Sequence, residues 1–238
     1  MNNVRTVSDT KKAFYTLHTR PINTIYRRVV EELMVEMHLL SVNVDFSYNS
    51  IYALGVVTSF DRFMEGYQPE RDRESIFNAL CKAVEDDPQR YRSDAAQLEA
   101  LAKSLPAKDF ISLLSLKTTG ADAGVLLPQL QAIASNPKFK YSRLFAIGLY
   151  TLLETANPEL VKDEKQRTEA LNSIAAGLHL PDDKLNKDLE LYRSNLDKMS
   201  QALVVLSDML SADRKKREQR AKEQSASVKD AGTKDESK

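Results

Sequence analysis

The sequence is poor in residues that break or cross-link a chain. Its 238 residues hold 7 glycines, 8 prolines, 1 cysteine and no tryptophan. The lone Cys81 excludes an internal disulfide and fits a reducing compartment. A surplus of charge is missing too: 34 Lys and Arg balance 34 Asp and Glu, and the pI is near 6.9. That balance argues against a dedicated nucleic-acid binder, which needs a basic excess to neutralise phosphates. Long apolar runs are also lacking. Phe46 to Phe60, a stretch unsurpassed in length among those without charge, contains Ser, Asn and Thr. It falls short of the ~20 apolar residues that cross a bilayer. Leu144 to Leu153 is more apolar but shorter, bracketed by Arg143 and Glu154. No apolar segment follows Met1-Asn2-Asn3-Val4-Arg5, so no secretory signal is expected. What is present is globular: 42% apolar and 29% charged residues, enough to bury a core as one domain or two.

Between the prolines, apolar residues recur with helical spacing. After Thr19-Arg20-Pro21 they fall at Ile22, Ile25, Tyr26, Val29, Val30, Leu33, Met37 and Leu40, one buried helix face. Thr19 is expected to cap that helix, with Pro21 in its first turn. The same spacing predicts helices near 8–18, 50–65, 70–85, 93–104, 107–116, 122–134, 138–156 and 163–177. Ser8, Asp72 and Ser93 serve as expected N-caps, and Gly66 and Gly177 as left-handed residues after helices. Asp87-Pro88, Asn136-Pro137 and Asn157-Pro158 read as turns. Val42, Val44, Phe46 and Tyr48 alternate, but in isolation they form an extended connection rather than a sheet. The expected fold class is all-α: a multi-helix bundle over 1–180, one long C-terminal helix over 181–222, and a disordered polar tail over 223–238.

The long helix carries a heptad seam: Leu185, Leu189, Tyr192, Leu196, Met199, Leu203, Leu206 and Leu210 step alternately by four and three. Either the seam packs on the protein's own helices or it forms a partner or self-association surface. Val204 and Val205 widen the stripe. Arg214, Lys215, Lys216 and Arg217 follow; they either touch anionic lipid or complement the helix dipole.

No local signature of chemistry emerges. None of His18, His38 and His179 has a second ligand at metal spacing. The glycines form no phosphate-binding loop, and Cys81 lies on an amphipathic helix as a small core residue. Neither catalytic residues, a cofactor nor a metal is expected. Tyr15, Arg20, Tyr26, Arg27 and Arg28 mix aromatic and guanidinium groups as contact surfaces do, and as internal packing also does.

Three strings carry a family resemblance: TVSDTKKAFYTLHTRPINTIYRRVVEELMVEMHLLSVN (Thr6–Asn43), IYALGVVTSFDRFMEGY (Ile51–Tyr67) and SIFNALCKAVEDDPQRYRSDA (Ser75–Ala95). They closely resemble the thylakoid formation proteins, also called photosystem II biogenesis factors. Met1 stands just ahead of the block, where plant members carry a transit peptide, so the resemblance points to a cyanobacterial-type member. It implies an all-helical, non-enzymatic accessory protein, peripheral on the cytoplasmic side of the thylakoid membrane with a soluble pool. The implied partner is an FtsH-type thylakoid membrane protease, supported for photosystem II repair, with no nucleic acid and no small-molecule substrate. The alternative is a membrane-surface scaffold acting on thylakoid lipid through the basic helix end.

Overall fold

A computed structural model describes residues 5–118 and 124–232. Among them the chain forms helices and no strand, so the fold is all-α. In order these are α1 (Val7–Leu17), α2 (Thr24–Ser41), α3 (Ser50–Phe63), α4 (Arg71–Ala83), α5 (Pro88–Ser104) and α6 (Ala107–Leu114). Then follow α7 (Leu126–Ser135), α8 (Arg143–Ala156), α9 (Pro158–Lys162), α10 (Glu164–Gly177) and α11 (Asp182–Gly232). The chain divides into two compact units after Tyr192.

The first unit is built around α3 and α8. Both segments are nearly free of charge, and a helix apolar on every side must be covered on every side. Every residue from Ser50 to Phe60 and from Leu144 to Leu153 is buried. The two helices meet through glycines. A Cβ on Gly55 would stand 1.7 Å from Leu144 O, and one on Gly148 1.9 Å from Ile51 O. Charges enter only at the ends, where Arg62 of α3 pairs with Glu154 of α8. Arg143 Nη2 reaches Glu36 Oε2 of α2 at 2.6 Å. Helix α5 covers α3 and α8, while α1 lies on α4 and α2.

Helix starts follow the strongest available cap. Thr6, not Ser8, caps α1, because its Oγ1 accepts Asp9 N–H (3.2 Å) while Asp9 Oδ2 accepts Thr6 N–H (2.9 Å). Asn23, not Thr19, caps α2; its Oδ1 accepts Ile25 N–H at 3.1 Å, and Pro21 falls in the connection. Helix α5 starts at Pro88 with Asp87 as cap, so Ser93 lies inside it. Asp72 is a buried residue within α4. Helix α8 begins at Arg143 rather than near 138, because Ser142 caps it after the turn at Asn136. The expected start of a helix near 122 lies partly outside the described residues; α7 begins at Leu126.

Gly66 has a φ of +73°, as a left-handed residue after a helix should. Gly177 does not: it ends α10 in close approach, where a Cβ would stand 2.2 Å from Ser115 O. The left-handed residue is His179, at φ +54°. The second unit consists of α11 from Arg193, and the helix runs to Gly232, past Lys222. Residues 233–238 of the expected tail lie outside the described residues.

Candidate functional site

Among the described residues no group of three or more His, Cys, Asp or Glu is placed to hold a metal ion. The Cys81 thiol is buried, which pushes its pKa up to about 12 and keeps it protonated. Two histidines fasten α1 to the body. His38 Nδ1 lies 2.8 Å from Thr10 Oγ1, and His18 Nδ1 lies 3.0 Å from Ser75 Oγ. His18 and Ser75 pair a base with a hydroxyl, as hydrolytic sites do. A triad also needs a carboxylate to orient the second ring nitrogen. Among the described residues His18 Nε2 has no hydrogen-bond partner, and Asp72 is engaged by Arg20, whose Nη2 lies 2.9 Å from Asp72 Oδ1 as an unaligned ion pair.

Both rings are held below the ordinary histidine value, chiefly by burial. Arg20 adds to this at His18 and Arg5 at His38, while Asp72 and Asp9 oppose it. A base whose folded pKa lies below its unfolded value of about 6.5 favours the fold above that pH. As pH falls below it, the unfolded chain takes up protons first and stability is lost. Asp9 and Glu31, held low by hydrogen bonds from Thr6 and Lys11, lose their contribution only at lower pH, below about 4.5. Melting between pH 7 and 5.5 therefore reports the histidines. A chain of this size loses about 2–4 °C per kcal/mol, so the expected fall is a few degrees. His38→Gln should flatten the slope; a parent curve flat over that range would contradict the argument.

The candidate contact residues separate in space. Tyr15 is exposed at the α1–α2 surface and donates to Glu31 Oε1 at 2.8 Å; burial and Glu31 push its phenol up to about 12. Lys11 Nζ reaches the other oxygen of Glu31, also at 2.8 Å. Arg20 sits apart with Asp72. Arg27 and Arg28 are exposed on α2, and Arg28 Nε pairs with Glu32 Oε1 at 3.0 Å. Tyr26 is 4% exposed and donates to Glu65 O, so it belongs to the core rather than to a surface.

The heptad seam changes character along its length. In the first unit Leu185, Leu189 and Tyr192 are buried, with Tyr192 edge-on to Phe63 at 5.8 Å. In the second unit Met199 is buried and Leu196, Leu203 and Leu206 are half-buried. Val204, Val205 and Met209 are exposed there, as are Lys215, Lys216 and Arg217. The side chains of Leu210 and Arg214 lie outside the described set.

One cleft in the first unit has the dimensions of a binding site, about 470 Å³. Ile133, Pro137, Phe139, Tyr141 and Leu178 give it apolar walls, and His179 supplies a polar edge. Carbonyl oxygens only accept, so the 2.9 Å contact from His179 Nδ1 to Ala134 O fixes the proton on Nδ1. In the neutral ring, Nε2 is thereby an acceptor. Tyr141 donates to Asp188 at 2.9 Å, and Lys184 Nζ stands 5.1 Å from its ring centre.

A family model described as thylakoid formation protein matches residues 6–221. The chain belongs to the thylakoid formation protein family. Among its relatives, Protein Thf1 of Nostoc punctiforme is 77% identical over 221 residues, 92% of this chain and 94% of that protein. Protein Thf1 of Gloeothece citriformis is 58% identical over 220 residues, covering 92% and 97%. Both relatives are cyanobacterial. The solved structure of Psb29 at 1.55 Å matches with a TM-score of 0.77 at 48% identity, over 90% of this chain and 98% of that one. The family match runs through the body and along α11 as far as residue 221, beyond the basic residues. The cleft of this family member was not visible in sequence: its two walls, near 134 and 179, lie 45 residues apart. The available signals were Pro137 and Pro181 ending helices and a histidine beyond Gly177.

Proposed function

We propose that this chain is a non-catalytic accessory factor in thylakoid and photosystem II biogenesis and repair, supporting an FtsH-type thylakoid membrane protease by contact. Membership of the thylakoid formation family, over residues 6–221, carries the coarse role. The finer reading draws support from α11, where Val204, Val205 and Met209 stay exposed instead of joining a core. No helix among the described residues is long and apolar enough to cross a membrane, which suits a peripheral protein at the cytoplasmic thylakoid surface. Deleting the gene should lower protease abundance and slow photosystem II recovery after strong light. A deletion strain with normal protease and normal recovery would overturn the proposal.

A second reading, a membrane-surface scaffold, is favoured by one observation. The exposed apolar residues of α11 are followed by exposed Lys215, Lys216 and Arg217. Basic residues close to an anionic surface contribute about 1 kcal/mol each, and salt screens them. Under this reading the purified chain floats with anionic liposomes at low salt and is released at high salt. Under the protease reading it stays in the soluble fraction until the protease is supplied.

A further inference from the structure

Helix α1 is held to the body by little apolar surface. Of its 11 residues Thr10 and Phe14 are the buried ones, and of these Phe14 alone is apolar. An isolated helix of this length is marginal in water, so α1 stays helical only while docked. Polar contacts therefore carry much of its attachment. Before its first turn Arg5 Nη1 lies 3.1 Å from Glu85 Oε1, and Arg5 Nη2 donates to Ala83 O. Midway, Thr10 meets His38 of α2, while Lys11 and Tyr15 meet Glu31. At its end the cap residue His18 meets Ser75 of α4. Residues 18–23 are not helical, so α1 can leave without unwinding α2.

Two of the chain's 3 histidines thus stand on one interface. They are the groups there that titrate just below neutral pH, since Asp9 and Glu31 are held low and Tyr15 high. Each ring is bonded through Nδ1 to a hydroxyl, which has no charge to set against an imidazolium. Among the described residues His18 Nε2 has no partner, so an imidazolium there would hold one buried N–H without an acceptor.

Nearby charges do not compensate. His18 faces Asp72 of α4, but Arg20 lies 2.9 Å and Arg71 3.9 Å from that carboxylate, and both are cations. Tyr67, close to Asp72 and Arg20, stays a neutral phenol. Arg73 and Glu74 of α4 turn to Asp61 and Arg92. His38 faces Arg5 and Asp9, with Glu85 on Arg5 and Lys12 beside Asp9, so the signs balance. Burial then decides, and it holds both rings below the ordinary histidine value. Opening α1 returns both rings to water and to a pKa near about 6.5. The closed form is favoured above that pH and loses ground as pH falls below it.

We propose that α1 is an acid-released strap: protonation of His18 and His38 frees it from α2 and α4 while the α3–α8 core stays folded, uncovering the faces it covers at neutral pH. This device rests on neither functional reading, since it lies in the fold's own fastening.

Amide hydrogen exchange of the full chain, corrected for the chemical rate, tests it. Each ring changes the opening equilibrium by up to about tenfold per pH unit below about 6.5. Exchange in α1 should rise at least about fivefold between pH 7.5 and 5.5. A local opening exposes little surface, so about 0.5 M urea should leave α1 exchange unchanged while accelerating that of α3 and α8 severalfold. His18→Gln with His38→Gln keeps a hydrogen-bonding group at each site without the titration, and α1 exchange should then be flat over the same range. Should that variant not fold, each single replacement should remove part of the rise. The proposal fails if α1 at pH 5.5 is protected as strongly as α3 and α8, or if the rise survives loss of the rings. It fails equally if α1 becomes better protected in acid, which would mean that protonated His18 pairs with Asp72 and tightens the strap.

Discussion

Gly148→Ala should lower stability by about 3–5 kcal/mol, at the extreme of what one added methyl does. Most small-to-large substitutions in cores are relieved by side chains moving aside. Here the obstacle is backbone: the new Cβ would stand 1.9 Å from Ile51 O and 2.9 Å from Ile51 C. The mirror contact, Gly55 against Leu144 O at 1.7 Å, leaves the helices no route to slide past each other. Relief requires α3 and α8 to separate, and that opens a core in which both are buried on every side. For a chain of this size the melting temperature should fall by roughly 10 °C. Gly124→Ala is the control. Its φ is +48° but no described residue lies within 4 Å of the added Cβ, so the left-handed penalty of about 1–2 kcal/mol is what applies. Thermal melts of the two variants decide the matter; equal melting temperatures would mean that the α3–α8 crossing is looser than described.

The same pair of helices shows how much could be read in advance. The stretches Phe46–Phe60 and Leu144–Leu153 stand out in sequence as strongly apolar and free of charge, and too short for a membrane. A helix with no polar face has to be central, and these are the central helices. Their partnership was less legible, since nothing local links Gly55 to Gly148. Helix class followed from apolar spacing, whereas the starts depended on competition between neighbouring caps. Thr6 prevails over Ser8 because Asp9 returns its hydrogen bond, and Asn23 prevails over Thr19 because it lies next to the helix. Burial of Tyr26 was ambiguous for a physical reason: an amphipathic phenol serves a surface or a core equally well until its hydroxyl finds a partner, here Glu65 O. The cleft was least legible of all, because its two walls come from separate segments and its polar edge rests on a left-handed histidine where glycine is the ordinary choice.

Leu189→Asp and Val205→Asp should behave oppositely, although both lie on α11. Leu189 is 3% exposed in the first unit. Aspartate there loses the transfer energy of a buried leucine and leaves a carboxylate with no partner, together costing about 4 kcal/mol or more. The variant should melt roughly 10 °C lower or fail to accumulate. Val205 is 52% exposed. A polar replacement there should change stability by no more than about 0.5 kcal/mol. Its effect should appear in association instead. If α11 supports the protease by contact, Val205→Asp with Met209→Asp breaks up the exposed apolar patch, leaving Val204 alone of the three, and the protease should no longer co-purify with a normally folded chain. If α11 contacts lipid, the same variant should lose flotation with anionic liposomes. A melting temperature lowered as far as by Leu189→Asp would instead make the patch part of the protein's own packing, and the contact role would have to move elsewhere on the molecule.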